Sequence, residues 1–424
     1  MNVDSFKNRI EGCVCKREHT CPIKHVVSGG CAIRSLSLIS SDYKRILLVA
    51  DENTYAVAGK ETEGEIGDKI FGRVIFSGKS VLIPNEAAIE RIEEAVGDAD
   101  LILGVGSGVI NDLCKYVSFK ATLPYFIVAT APSMDGYASR GAAMILGGMK
   151  VTVNAHVPEA IIADSNILAG APMEMILAGY GDIIGKYSCL ADWKLSAIVN
   201  GEYICERILS MTYREIEKTR SIAKGLLARD PKAIETLTNA LISVGFLMAY
   251  VGNSRPASGA EHHFSHYFEI VGIIKGEQYF PHGIDVFYST LETAKLRDAI
   301  LSLSKEDIRM PTFDRNKYVS EIERVYGPLS GEVIALQDKL GWYEKGCERV
   351  EAYLEHFEKI KEVLRGVPSY AELLEMLSEV GMKYSDFVEL YGEQKIKDAY
   401  LYAKDLKDRY TVLWMYSDLI DSFR

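Results

Sequence analysis

Four of the eight histidines in this 424-residue chain, His262, His263, His266 and His282, fall within a short stretch. Neutral imidazole is the commonest side-chain ligand for metal ions. In SGAEHHFSHYFE, His262 and His266 stand four apart and share a helix face, whereas His263 points about 100 degrees away. FPHGIDV brings His282 from a separate element, with Gly283 permitting a tight backbone beside it. Two imidazoles leave a divalent cation under-charged, so a carboxylate should join them and leave positions open to substrate. Asp182 in GYGDIIGKY is the favoured acid, because the flanking glycines imply a crowded, close-packed helix start; Glu174 and Asp192 are rivals. The bland alternative is that the histidines only satisfy a polar interdomain cleft.

A second set of residues suits phosphate. GVGSGVIND, from Gly104 to Asp112, follows a strand signal and opens a helix signal. Glycines let backbone N–H groups approach a pyrophosphate, and a helix N-terminus adds partial positive charge. The spacing of Gly104, Gly106 and Gly108 departs from Gly-x-Gly-x-x-Gly, so a tight turn without ligand stays open as a reading. Asp51 ends another strand signal and is placed either to accept from an adenosine ribose or to cap a helix; bound to ribose, its charge would disfavour NADP. Cys13, Cys15, Cys21 and Cys31 crowd the N-terminal region with His19 and His25. Cys-x-Cys is not standard zinc-knuckle spacing, and the expectation is a surface hairpin with incidental thiols.

These residues need a scaffold. KRILLVAD, FGRVIFSG, ADLILGVGSG and PYFIVATAPS are short apolar runs that suit strands buried on both faces of a parallel sheet. Between them lie helical stretches, among them NEAAIERIEEAVGDA, with Asn85 as cap and Ile89, Ile92 and Val96 on one face. This alternation predicts a doubly wound, Rossmann-like α/β domain over residues 1–168. Long amphipathic segments then predict a mostly helical domain over 169–424, with the hinge within 165–172. The aromatics of the tail beyond Gly331 are expected in the core or at a subunit contact, which favours a homo-oligomer.

Composition narrows the function. With 48% hydrophobic residues the chain is long enough for two cores, and a formal net charge of -11 argues against a dedicated nucleic-acid binder. The segment MNVDSFKNRI lacks a signal-peptide core, and no later run offers about 18 uninterrupted apolar residues. The expectation is a soluble, cytoplasmic protein without a membrane span and with reduced thiols.

Taken in order, GVGSGVINDLCKY, ATAPSMDGYAS, PEAIIADSNIL, GYGDIIGKY, SRPASGAEHHFSH and FPHG resemble the superfamily of glycerol dehydrogenase, iron-containing alcohol dehydrogenases and dehydroquinate synthase. Within it the chain is most similar to the glycerol-1-phosphate dehydrogenases, over about Asp51 to Asp285. The resemblance implies a dehydroquinate synthase-like fold, NAD(P), and one divalent ion, zinc, nickel or iron, on Asp182, His262 and His282. An alternative register would choose His263. It also implies that Asp51, Asn53, Gly104, Gly106, Ser107, Gly108 and Asp112 serve the cofactor, and that Thr130, Ser133 and Asp135 line the nicotinamide and substrate cleft. CVCKREH departs from the family's Cys-x-Cys-Gly pattern at Lys16, and the helical tail is longer than the family implies.

The reaction so implied is reduction of dihydroxyacetone phosphate to sn-glycerol 1-phosphate. The metal acts as a Lewis acid on the carbonyl oxygen while NAD(P)H delivers hydride to C2. His266 would orient substrate or relay the proton, and Arg255 would clamp the phosphate, unless either is a structural cleft residue. The alternatives are a glycerol or other polyol dehydrogenase, a dehydroquinate-synthase-like sugar phosphate cyclase that returns NAD unchanged, and a non-catalytic binding protein. The cyclase needs several cationic side chains that EHHFSH and its surroundings do not offer.

Overall fold

A computed structural model describes residues 3–147 and 149–420. The chain forms two compact units, Met1–Ile183 with Glu217–Asn253, and Ile184–Ile216 with Ser254–Arg424. The division therefore differs from one at 168/169. Composition changes there, but a single helix, Met173–Asn200, begins in the first unit and ends in the second, and the apolar helix Pro231–Val251 returns to the first.

The first unit is built on six parallel strands: β1 (His25–Gly29), β2 (Ile46–Asp51), β3 (Ile70–Phe76), β4 (Leu101–Gly106), β5 (Tyr125–Ala129) and β8 (Ala160–Asp164). Their order is β1-β8-β5-β4-β2-β3, and an antiparallel hairpin, β6 (Gly141–Leu146) with β7 (Met149–Asn154), stands apart. β4, β5 and β8 are buried along their whole length, as is β2 up to Asp51, which explains their unbroken apolar sequence. The Glu86–Val96 helix starts where Asn85 Oδ1 accepts the Ala88 N–H at 3.1 Å, and it buries Ile89 and Ile92.

Sequence reading missed β1, β8 and the hairpin. HVVSG and AIIAD are only five residues each, too short for a periodic signal. The expected N-terminal hairpin is also corrected. Residues 9–24 form turns and coil, and among the described residues the first strand begins at His25. The Pro231–Val251 helix is long and apolar enough to cross a membrane by composition, yet 83% of its most apolar window is buried inside the protein.

The second unit is helical. Its tail aromatics form core: Tyr353, Tyr410 and Trp414 are each no more than 1% exposed. Arg349 clasps Asp418 through two 2.7 Å bonds, and the Tyr353 hydroxyl donates to the same carboxylate at 2.8 Å.

One glycine of GYGD is fixed by packing within the first unit. A Cβ on Gly179 would lie 1.8 Å from the Pro132 carbonyl oxygen. Gly179→Ala should therefore push the 132–139 loop off its helix and lower stability by at least ~2 kcal/mol, read from the urea midpoint. A wild-type midpoint would show that the loop is not seated there.

Candidate active site

In the first unit the C-terminal edge of the sheet gathers the residues expected to serve a nucleotide. Ala50 pairs with Val105 and Gly106 with Ala129, so Asp51, the turn at Ser107 and Thr130 lie side by side along β2, β4 and β5. The chain leaves β2 for β3 on one side and returns to β4 on the other, which makes the gap between β2 and β4 a topological switch point. Ligands of open α/β sheets enter at such points. Gly106 is forced by close approach, since a Cβ there would meet Ile110 Cβ at 2.6 Å. Ser107 stands at the N-cap of the Gly108–Ala121 helix without a side-chain bond to it, so its hydroxyl leaves the first-turn N–H groups to another acceptor. The glycines thus bring the helix close, and its N-terminus can meet an anion.

Asp51 realises the helix-cap reading. Its Oδ1 accepts from Asn53 N at 2.8 Å and Thr54 N at 2.9 Å, and the Thr54 hydroxyl accepts from Asp51 N. The cap uses Oδ1, so Oδ2 stays outside it. Asn53 Nδ2 donates to the Gly78 carbonyl at 3.1 Å. Asp112 is turned inward: Oδ1 accepts from Asn111 Nδ2 at 3.0 Å and Oδ2 from Ala143 N at 2.9 Å. It holds the Gly108–Ala121 helix against the hairpin.

The segment from Thr130 to Ser139 is pinned from several directions. Thr130 N donates to Gly106 O at 3.1 Å, the buried Tyr137 hydroxyl donates to Ala131 O at 2.8 Å, and Asp135 N donates to Asp182 Oδ2 at 3.0 Å. Asp182 is 1% exposed and sits mid-helix within Met173–Asn200, not at a helix start as its glycines suggested. A carboxylate held by a backbone N–H on one oxygen keeps its other oxygen oriented.

In the second unit three of the four histidines converge. The His262 and His282 ring centres lie 5.0 Å apart, His266 and His282 5.5 Å, and His262 and His266 6.2 Å. His282 opens the His282–Ser302 helix. His262 Nδ1 is 2.7 Å from Glu261 Oε1, and His282 Nδ1 is 3.2 Å from the Ser265 hydroxyl. Each contact can hold a proton on Nδ1, leaving Nε2 as a bare ligand atom. His263 is apart from this group and fully buried. Burial, then the charges of Arg409, Lys407 and Arg255, push its pKa well down and keep it neutral.

The sequence profile of the iron-containing alcohol dehydrogenases matches residues 30–172. A glycerol-1-phosphate dehydrogenase of Geobacillus thermodenitrificans is 30% identical over 348 residues, covering 80% of this chain and 78% of the relative. One from Halalkalibacterium halodurans is also 30% identical, over 87% of this chain and 85% of its own. The chain belongs to the glycerol-1-phosphate dehydrogenase family. Its fold is shared with an iron-containing alcohol dehydrogenase of Corynebacterium glutamicum, at TM-score 0.57 and 18% identity over 95% of this chain and 96% of that one.

Within this family member, one cation differs from what the sequence suggested. Arg255, expected to clamp a phosphate, is 3% exposed and gives its fork to Glu202, with Nε at 2.7 Å from Oε1 and Nη2 on Oε2, while Nη1 donates to Tyr410 O at 2.9 Å. Burial works to raise Glu202, but the guanidinium outweighs it and holds the carboxyl below its usual range. Arg409 donates to Ser258 O at 2.7 Å and Ser254 Oγ at 3.0 Å, so SRPASG is a brace that seats the histidine helix. Sequence reasoning did not single out Lys115. Its fully buried Nζ donates to the Gly136 carbonyl at 2.9 Å and the Gly141 carbonyl at 2.8 Å, and it lies 3.5 Å from Asp112 Oδ1. The Asp-x-x-Lys spacing in INDLCKY was the available signal.

Burial pushes Asp112 up and Lys115 down, and each partner's charge opposes the shift. Lys115→Met should cost ~3–5 kcal/mol in urea denaturation, because Asp112 is left as a lone buried acid and two carbonyls lose their donor. Adding Asp112→Asn should restore part of that loss; no recovery in the double variant would show that the two groups are not coupled.

Proposed function

We propose that this chain catalyses reduction of dihydroxyacetone phosphate to sn-glycerol 1-phosphate by NAD(P)H, with Asp182, His262 and His282 as ligands of one divalent ion. The observation that carries the reading is the imidazole pair of the second unit, in which His262 and His282 lie 5.0 Å apart and each has an oxygen partner on Nδ1. Such bonds hold metal-binding histidines in one tautomer. The donor set fits a borderline cation that keeps positions open for substrate. The two dehydrogenase relatives, each matched over more than three quarters of its length, support the substrate and the coenzyme.

When bound, the ion supplies the positive charge that polarises the substrate carbonyl, and the nicotinamide supplies the hydride. This chain's residues do the rest. Helix N–H groups after Ser107 receive the coenzyme diphosphate, and Asp51 Oδ2 accepts from its ribose. Thr130, Ser133 and Asp135 line the path to the reacting carbon. His266, within 5.5 Å of His282 ring to ring, is the residue we assign to bring the proton that turns the alkoxide into the alcohol. Hydride and proton together convert the ketone and NAD(P)H into the secondary alcohol and NAD(P)+.

The direct test follows NAD(P)H absorbance with dihydroxyacetone phosphate before and after exhaustive chelation. Turnover should vanish on chelation and return with added zinc, nickel or ferrous ion. Undiminished turnover in metal-free protein would remove the ion from the mechanism.

Ligand choice is tested separately. His262→Ala and Asp182→Asn should lower retained metal at least about tenfold and cut kcat/KM by roughly 10³, a loss near 4 kcal/mol. His263→Leu, at the buried neutral histidine, should keep its metal and most of its activity. The opposite pattern would assign the helix ligand to His263.

A further inference from the structure

The N-terminal cysteines are absorbed by nothing in the dehydrogenase reading, yet they are built into a specific arrangement. Residues 9–24 contain no helix or strand, so this long connection has few backbone bonds of its own to hold it. It is nevertheless turned sharply. Gly12 and Lys16 both adopt the left-handed conformation, with φ of 68° and 64°. For Lys16, which has a Cβ, that conformation costs about 1 kcal/mol and persists only where surrounding contacts demand it. Between these turns Val14 is 92% exposed, whereas Cys13 and Cys15 are partly buried, so the two thiols point to the side opposite the valine.

His19 joins the two thiols. The ligand atoms of Cys13, Cys15 and His19 all lie within 4.8 Å of one another, and Cys15 Sγ is 3.0 Å from His19 Nε2. The other ring nitrogen settles the tautomer. Nδ1 is 3.0 Å from the carbonyl oxygen of Tyr250, in the last turn of the Pro231–Val251 helix, where carbonyls lack an intrahelical donor. That carbonyl can only accept, so Nδ1 carries the proton and Nε2 presents its lone pair to the thiols. The mount is rigid: Phe6 packs on Phe246 and Tyr250 of the same helix, with ring centres 5.2 and 6.2 Å away.

We propose that Cys13 Sγ, Cys15 Sγ and His19 Nε2 form a second, structural metal site for zinc, separate from the dehydrogenase ion, with a tetrahedral corner left for a fourth donor. Two thiolates and an imidazole are soft and borderline donors that select zinc over magnesium or calcium. With Zn–S near 2.3 Å and Zn–N near 2.0 Å, the sulfur and nitrogen of a bound site stand about 3.5 Å apart, so Cys15 and His19 need to open by only ~0.5 Å. The ion would close a loop that has no secondary structure and tie it to the helix carrying Tyr250. It also accounts for the left-handed Lys16, since the chain must double back there to turn both thiols toward one imidazole.

Cobalt substitution reads this site without reference to activity. The dehydrogenase ligands proposed above contain no sulfur, so thiolate-to-cobalt charge-transfer absorption in the near ultraviolet can come only from a cysteine site. The intact chain loaded with cobalt should show that band and bind one equivalent more metal than Cys13→Ser/Cys15→Ser. The band should survive Cys31→Ser, at an exposed thiol, and shift in His19→Ala, which keeps both sulfurs. Absence of the band from wild-type protein overturns the proposal without recourse to any variant that folds poorly. A band retained in full by the double serine variant also overturns it.

Discussion

An imidazole binds a cation only through a nitrogen that has no proton, so the protein must fix the proton on the other nitrogen before any ion arrives. This requirement recurs at each histidine that matters here. Glu261 faces His262 Nδ1, Ser265 faces His282 Nδ1, and the Tyr250 carbonyl faces His19 Nδ1. His263 lies one residue from a ligand candidate and yet has a different fate. Buried among the charges of Arg409, Lys407 and Arg255, it is held neutral without a partner that would aim it. Adjacent positions on one helix thus separate into a ligand candidate and a core residue by what the surrounding elements supply.

Further buried polar groups brace the histidine helix. Asp192 shows how. Its two oxygens accept the N–H groups of Ala260 and Val412, each at 2.7 Å, so the carboxylate joins the start of the histidine helix to the tail. Burial raises its pKa to about 7, with the neighbouring Glu261 adding to the shift. A rival metal ligand in the sequence is in this way a structural brace. Arg255 follows the same logic, because a guanidinium buried beside Glu202 is more stable paired than waiting for a substrate.

The first unit solves a different problem, the close approach of a helix to its strand. Gly106 lets the following helix press onto its strand, and Lys115 and Asp112 hold that helix to the hairpin and to the segment around Gly136. Asp182 then takes the Asp135 N–H from the far side of the same segment. Residues assigned to coenzyme, substrate and metal in the proposal are therefore linked by short bonds to one loop.

The sequence by itself determined the parallel sheet, the glycine turn at its edge, the histidine-bearing helix and the family, because buried strands and close helix packing restrict residue types locally. It also offered Asp182, His262 and His282 as candidate ligands. It left His262 and His263 as alternatives, gave Arg255 to a phosphate and treated Cys13, Cys15 and His19 as incidental. The last two of those questions turned on partners far along the chain: Glu202 and Tyr410 for Arg255, and Tyr250 for His19. A side chain's spacing fixes which way it points from its own element, but only tertiary packing decides whether a proton donor, a carbonyl or a counter-charge stands where it points. That environment gives each polar group its chemistry.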